Sequence, residues 1–390
     1  MSNVNQLDNR KQFQVHLEEL NRDLDVEKVE KVLIIYDEEK LYIGDSCVRF
    51  SAIGFLSSFF SNASMELIWP NKSYSAVYFA LLKNSPYFIN INCIGWEQTD
   101  FFKYDVVIVI SYREDELLEL VYSQCKEPDV NKNIKTHFYS LSVVGISAIV
   151  QPFFPMSEAL VTEALKYNRI PEIFISEEEK EEAGRWLDEN GLEKDEKLFV
   201  LIDSASTTSK VMTDNVFTSI IKFLLSIPKS KILIFDEFGT GKSRKYGNLL
   251  EPQEHSKIIF AEKLGLRKDI TILGSSQVRL ILGPCTGVLH CASGIYNVMH
   301  RDGREQNELP LIVTYTGVYE KDNNNVRTWW ESSPLVKCLI LFQDKLGDRQ
   351  ITLLTDVDED TLRNLDTMPG ENYTADLIIN FLEDYLREKV

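Results

Sequence analysis

Apolar positions along this chain fall into two spacings that take turns. Val32-Leu33-Ile34-Ile35-Tyr36 is a short continuous run rich in β-branched residues; a polar loop with Gly44 follows, then Val48, Ile53, Leu56 and Phe60 at helical spacing. The pattern predicts strand, loop, helix. It recurs with Met65 to Trp69, Ala76 to Leu82, Val106 to Ile110, Glu114 to Tyr122 and Phe138 to Leu141. Such alternation predicts a parallel sheet covered by helices on both faces. A second unit opens with Ser176 and Glu179, a capping-box pair ahead of Ala183, Trp186 and Leu187, with Gly191 as the stop. Strand Leu198 to Ile202 follows, then a helix with the stripe Val216, Phe217, Ile220, Ile221, Leu224 and Leu225, and strand Ile232 to Phe235. Ile258 to Leu264, Ile270 to Leu273, Leu280 to Gly283 and Leu311 to Tyr315 continue the alternation.

Four segments follow. Residues 1–30 are a charged extension, expected as an exposed helix; 31–170 and 171–372 are two wound α/β domains; 373–390 is a terminal helix, striped by Leu377, Ile378, Phe381, Leu382 and Tyr385. The connection between the domains falls around Pro152 to Pro171.

Composition narrows the partners. With 42 Lys and Arg against 60 Asp and Glu, the formal charge of −18 opposes nucleic acid and anionic lipid surfaces. Six scattered cysteines without a CxxC pair predict reduced thiols. The first thirty residues lack an apolar signal region and no later run approaches a bilayer span, so a cytoplasmic address without membrane insertion is expected.

In wound domains ligands sit beyond the carboxyl ends of strands, so the loops after apolar runs carry the candidate chemistry. In Ile43-Gly44-Asp45, glycine would let the backbone approach a substrate while the carboxylate serves as a base; an ordinary turn or helix cap is the bland alternative. The run from Asp203 through Ser206 and Thr207 to Lys210 offers hydroxyls, amides and one ammonium to a diphosphate. In Gly283-Pro284-Cys285-Thr286-Gly287-Val288-Leu289-His290 a strand runs into a helix, where Thr286, Gly287 and the first amides can hold phosphate oxygens and His290 lies a turn inside. A core histidine is the competing role for His290.

These three loops, in order on two wound domains, resemble family 9 glycosyltransferases, the group that includes bacterial heptosyltransferases. Gly44-Asp45, Lys210 and Thr286-Gly287-x-x-His290 match that family's Gly-Asp, Lys and Asp-Thr/Ser-Gly-x-x-His, over roughly residues 31 to 317. The resemblance implies a GT-B fold of two facing Rossmann-like domains. It further implies a nucleoside-diphosphate sugar, a heptose among the candidates, held by the C-terminal domain. The acceptor hydroxyl, of a glycan, a lipid-linked or a protein acceptor, would be held on the N-terminal, Gly44 side. Transfer would be metal-independent and inverting, with Asp45 as base and no separate cofactor, and the terminal helix would return toward the N-terminal domain. Cys285 departs from the family's aspartate. A carboxylate for the nucleotide ribose falls near Glu251 or Glu254, and Glu254 is the choice.

Two decoys remain. Phe238-Gly239-Thr240-Gly241-Lys242-Ser243 ends like a P-loop, but Asp236 stands where the first glycine belongs and residues 244–252 make a poor helix, so the segment is expected as a flexible basic edge. Cys285, His290, Cys291 and His300 fit no zinc spacing. Trp329-Trp330 could stack on a sugar or pack in the core. A non-catalytic sugar-nucleotide-binding protein is the second reading, favoured by Cys285.

Overall fold

The computed structural model describes residues 2–125, 134–142, 152–166, 170–318, 330 and 333–389. The chain divides into two compact units, 1–169 and 170–390.

In the first unit, β1 (Lys31–Asp37), β2 (Ser64–Trp69), β3 (Asn90–Cys93), β4 (Val106–Ser111) and β5 (His137–Ser140) form a parallel sheet in the order β3-β2-β1-β4-β5. Central β1 pairs on both edges, Val32 lying opposite Met65 and Val106. Every residue of β1 after Lys31 is buried, which is why the run is continuously apolar rather than alternating. The chain moves from β1 outward to β3 and then returns to β4 on the other side. The strand order therefore reverses between β1 and β4, and the loops leaving those two strands flank the crevice where ligands of wound sheets sit.

The second sheet contains β6 (Lys197–Leu201), β7 (Ser230–Asp236), β8 (Ile258–Glu262), β9 (Val278–Pro284), β10 (Leu311–Tyr315), β11 (Val336–Gln343), β12 (Arg349–Leu353) and β13 (Asp366–Thr367). Its order is β12-β11-β10-β9-β6-β7-β8, with β13 beside β11. β6 to β11 run parallel; β12 and β13 are antiparallel to β11 and close one edge. The order reverses between β6 and β9, so the loops after these strands, which contain Lys210 and Thr286, flank the second crevice. The six-residue stripe predicted from Val216 to Leu225 is buried on Asp214–Ser226. Burying side chains of this kind contributes about 1.5–3 kcal/mol each.

Two expectations change. Residues 2–21 form a helix that is not an exposed appendage: Phe13 and Leu17 are buried in the first unit's core with Phe138 and Phe154. The terminal helix Ala375–Lys389 does not spend its apolar stripe on the N-terminal domain. Ile378, Leu382 and Leu386 are buried in the second unit's core with Phe217, Ile221 and Leu224. A stripe in sequence says that one face is buried, not against what.

Candidate functional site

At the second unit's switch point, β9 ends at Pro284 and the helix Gly287–Arg301 begins with Thr286 as its N-cap. The first amides of a fifteen-residue helix are ready donors for an anion. Thr286 Oγ1 makes no capping bond and, buried as an atom, finds no hydrogen-bond partner among the described residues. The loop after β6 carries Lys210, which closes a 3-10 turn Thr208–Lys210 after the exposed Ser206 and Thr207. Lys210 is near enough to His290 to disfavour its charge: burial first, then that ammonium, push the His290 pKa down to about 3. The imidazole is therefore neutral throughout the physiological range.

Two glycines hold the lysine loop in place. A Cβ on Gly370 would lie 2.5 Å from both the carbonyl carbon and oxygen of Lys210, and one on Gly317 would lie 3.1 Å from the Ser209 carbonyl oxygen. The atoms opposed at Gly370 belong to backbone and cannot rotate away. Gly370→Ala should therefore displace Lys210, at an overpacking cost of about 1–3 kcal/mol. We expect a lower melting temperature together with severalfold weaker nucleoside-diphosphate binding by calorimetry; both quantities unchanged would show that the loop is not clamped there.

Cys285, where the resemblance expects an aspartate, accepts the Trp330 indole N–H at 3.2 Å. The Trp330 ring stacks on His290, with centroids 4.0 Å apart and planes 10° from parallel. Trp330 is thus a buried packing residue and not an exposed platform for a sugar; Trp329 lies outside the described residues.

Glu254 does something other than expected. It is the third residue of the short helix Pro252–His255, accepts the Glu251 amide at 3.0 Å in a reciprocal cap, and faces Lys222 at 3.8 Å. That helix leads into the start of β8, since the Lys257 carbonyl already accepts the Ile232 amide. Glu254 therefore sits by the amino ends of the strands, away from the edge that holds Lys210 and Thr286. Glu237, just past β7, and Glu262, at the end of β8, are on the appropriate edge.

Beyond β8, Asp269 is buried in Leu266–Leu273, and its Oδ1 has no partner among the described residues. Burial, then the charge of Glu237, raise its pKa to about 7. An acid raised in this way binds its proton more tightly folded than unfolded, so it stabilises at low pH and loses that contribution as pH climbs from about 4 to 7. Asp269→Asn should narrow the difference in melting temperature between pH 5 and pH 8 by a few degrees. An unchanged difference would place the pH dependence elsewhere.

The P-loop decoy is closed by its own neighbours. Asp236 accepts the amides of Thr240, Gly241 and Lys242 at 2.7, 2.9 and 3.0 Å, taking the donors a phosphate would need. Burial opposes its ionisation, but those amides and the Thr240 hydroxyl outweigh burial and hold its pKa below the usual range. Lys242 Nζ is bonded to Asp203 and to the Phe235 carbonyl. Asp203 also accepts the Tyr246 hydroxyl at 2.8 Å. The segment is consequently not a flexible basic edge: Lys242–Gly247 folds as a short helix pinned to the ends of β6 and β7. Among the described residues no cluster of His, Cys, Asp and Glu is placed to hold a metal ion.

At the first unit's switch point, Gly44 and Asp45 lie in the first turn of the helix Ile43–Phe59, not in a loop, and its N-cap is Tyr42. Asp45 is therefore not the helix N-cap. Asp45 is half-buried. The sequence reading missed its surroundings. Glu38 is buried and accepts the hydroxyls of Tyr36, Tyr78 and Ser46 at 2.6, 2.7 and 2.9 Å, as well as the guanidinium of Arg49. Asp37 accepts Arg113 Nε at 3.0 Å, and burial raises its pKa against that pull. Glu114 accepts the Ser140 and Ser142 hydroxyls and the amides of Phe153 and Phe154. The one hint in the sequence is the Asp37-Glu38 pair at the end of an apolar strand; its partners lie up to 76 positions away.

Two wound α/β units in one chain, each gathering polar side chains where its strand order reverses, define a GT-B-like, heptosyltransferase-like fold. Among solved structures the chain is similar to ADP-heptose LPS heptosyltransferase II of E. coli, with a TM-score of 0.57 and 11% identity over 92% of this chain and 100% of that one. It is also similar to a family 9 glycosyltransferase of Veillonella parvula, with a TM-score of 0.52 and 11% identity over 76% and 83% of the two chains. No family model and no curated protein matches the sequence. At that identity the likeness establishes the fold. Among the described residues no helix is long and apolar enough to cross a membrane.

Proposed function

We propose that the protein is a glycosyltransferase whose second unit binds a nucleoside-diphosphate sugar. What supports this reading is the second unit's switch point: the amino end of Gly287–Arg301, the buried Thr286 hydroxyl without a partner among the described residues, and the Lys210 ammonium near a neutral His290. Ser206 and Thr207 add exposed hydroxyls to the same loop. Helix amides and an ammonium stabilise the charge that gathers on a departing diphosphate.

The acceptor hydroxyl attacks the anomeric carbon, forming the new C–O bond as the bond to the diphosphate breaks. The electron pair leaves with the nucleoside diphosphate and the proton passes to Asp45, so configuration inverts. Of the strand-edge carboxylates, Glu38 and Glu114 each accept four hydrogen bonds and Asp37 is tied to Arg113, which leaves them committed to structure. Asp45 stands in the first turn of the helix Ile43–Phe59, where the family resemblance puts the base. The ADP-heptose named for the E. coli neighbour makes a heptose one donor to test. The acceptor is a hydroxyl of a glycan, a lipid-linked or a protein substrate, and the setting is the cytoplasm, where sugar nucleotides are made.

The test is incubation with ADP-, GDP- and UDP-linked sugars, ADP-heptose included, with and without cell extract as acceptor source, following nucleoside-diphosphate release. Release that depends on extract supports transfer. Binding without release under every condition would support the second reading, a non-catalytic sugar-nucleotide-binding protein, which Cys285 and the Trp330 ring over His290 favour.

A further inference from the structure

Arg49 follows Asp45 by four positions on the helix Ile43–Phe59, so the two side chains share one face with the acid on the amino-terminal side, the favourable order for such a pair. Arg49 is largely buried, with 19% of its side chain exposed, and its other partner is the fully enclosed Glu38. Glu38 cannot move to follow it. Its Oε1 takes Tyr36 and Arg49 and its Oε2 takes Ser46 and Tyr78, so both oxygens are filled from β1, from the helix itself and from Ser75–Leu82. The aromatic rings behind them lock together: Tyr36 lies 5.3 Å from Tyr78 and 4.7 Å from Phe50. The guanidinium is thus fixed to a rigid buried anchor one helical turn from the carboxylate assigned as the base.

We propose that Arg49 is a positioning residue for Asp45: anchored by Glu38, it orients the Asp45 carboxylate and keeps it ionised while the sugar acceptor is bound. The proposal rests on Asp45 being the base. Burial works against the charge of Arg49, and Tyr36, Glu38 and Asp45 together outweigh it, so the guanidinium stays charged. The other groups at this edge are joined to it through Tyr78, whose hydroxyl donates to Glu38 and whose ionisation Asp37 and Tyr74 also oppose. Asp37 is tied to Arg113, which also meets Glu116 at 3.1 Å and lies over Trp96 and beside Tyr112. Tyr74 bonds the Glu39 carbonyl. Arg49 is a cation coupled to Asp45, and a half-buried carboxylate that loses an adjacent cation becomes easier to protonate, by about 1 pH unit or more.

Removing Arg49 alone would strand the buried Glu38 charge and risk unfolding, so the test uses the double variant Glu38→Gln/Arg49→Met with Arg49→Lys as the charge-keeping control. Asp45 is followed directly in protein labelled with carboxyl-13C aspartate, its resonance being assigned by its disappearance in Asp45→Asn. To keep the Glu38 charge out of the comparison, the Asp45 midpoint should lie about 1 pH unit or more higher in the double variant than in Glu38→Gln alone, and stay near the native value in Arg49→Lys. Equal Asp45 midpoints in the folded double variant and in Glu38→Gln would overturn the proposal. The acid limb of nucleoside-diphosphate release should move with the same midpoint. If Asp45→Asn retains full turnover, the base assignment has failed while the carboxyl titration still decides whether Arg49 controls Asp45.

Discussion

Asp45→Asn should lower nucleoside-diphosphate release in the presence of acceptor by about 10²–10⁴-fold, the usual contribution of a general base. Nucleotide affinity should hardly change, because the proposed anion site lies in the loops after β6 and β9 of the second unit. Asparagine keeps the size and shape of the side chain and removes the proton acceptor. Since Tyr42 is the N-cap, the substitution removes no cap and should change the folding free energy by no more than about 0.5 kcal/mol. The pattern expected in steady-state kinetics is a fall in kcat with little change in the donor KM. A folded variant with near-native turnover would move the base elsewhere. Glu38 and Glu114 would be poor replacements, since their oxygens are already filled by protein donors.

Lys210→Ala should weaken nucleoside-diphosphate binding about ten- to a hundredfold, the loss of one charge-assisted contact worth ~1.5–3 kcal/mol. Calorimetry with the free diphosphate measures this without an acceptor. The same substitution removes the positive neighbour that depresses His290, but burial is the larger cause, so the imidazole should remain neutral. If Lys210 meets the diphosphate, the salt dependence of binding should flatten, because the removed group is a half-buried cation. Equal affinity in the two proteins would reject Lys210 as a phosphate ligand and leave the helix amides and Thr286 as the anion site. Lys242 offers a contrast: though it sits in the more familiar motif, its charge is already spent on Asp203.

Much of the architecture was legible because it is local. Strands buried on both faces must be continuously apolar, and helices covering them must carry a stripe, so β1, β4, β6 and β7 and the helix Asp214–Ser226 stand out in the sequence. The capping box of Ser176 and Glu179 was also legible, being a bond between residues three apart. Less visible was the edge formed by β11, β12 and β13, whose antiparallel pairing depends on which strands meet. The charged residues of the amino-terminal helix concealed that Phe13 and Leu17 are core.

For the site, the sequence by itself determined where chemistry could lie. Loops leaving apolar strands carry the polar residues, and Asp45, Lys210 and Thr286 all fall at the carboxyl edges of their sheets. Tertiary structure decided which polar groups there are committed. Asp236 fills the amides of Thr240, Gly241 and Lys242 and closes the apparent P-loop; Glu254 is a cap at the other end of the strands; Glu38 is enclosed by Tyr36, Ser46, Arg49 and Tyr78. A sequence motif specifies donors and acceptors, but whether they are available depends also on neighbours the fold brings in, as Tyr78 is to Glu38 from 40 positions away and Asp203 is to Lys242 from 39. Strand order sets those neighbours, and strand order follows from how whole faces pack rather than from any local pattern.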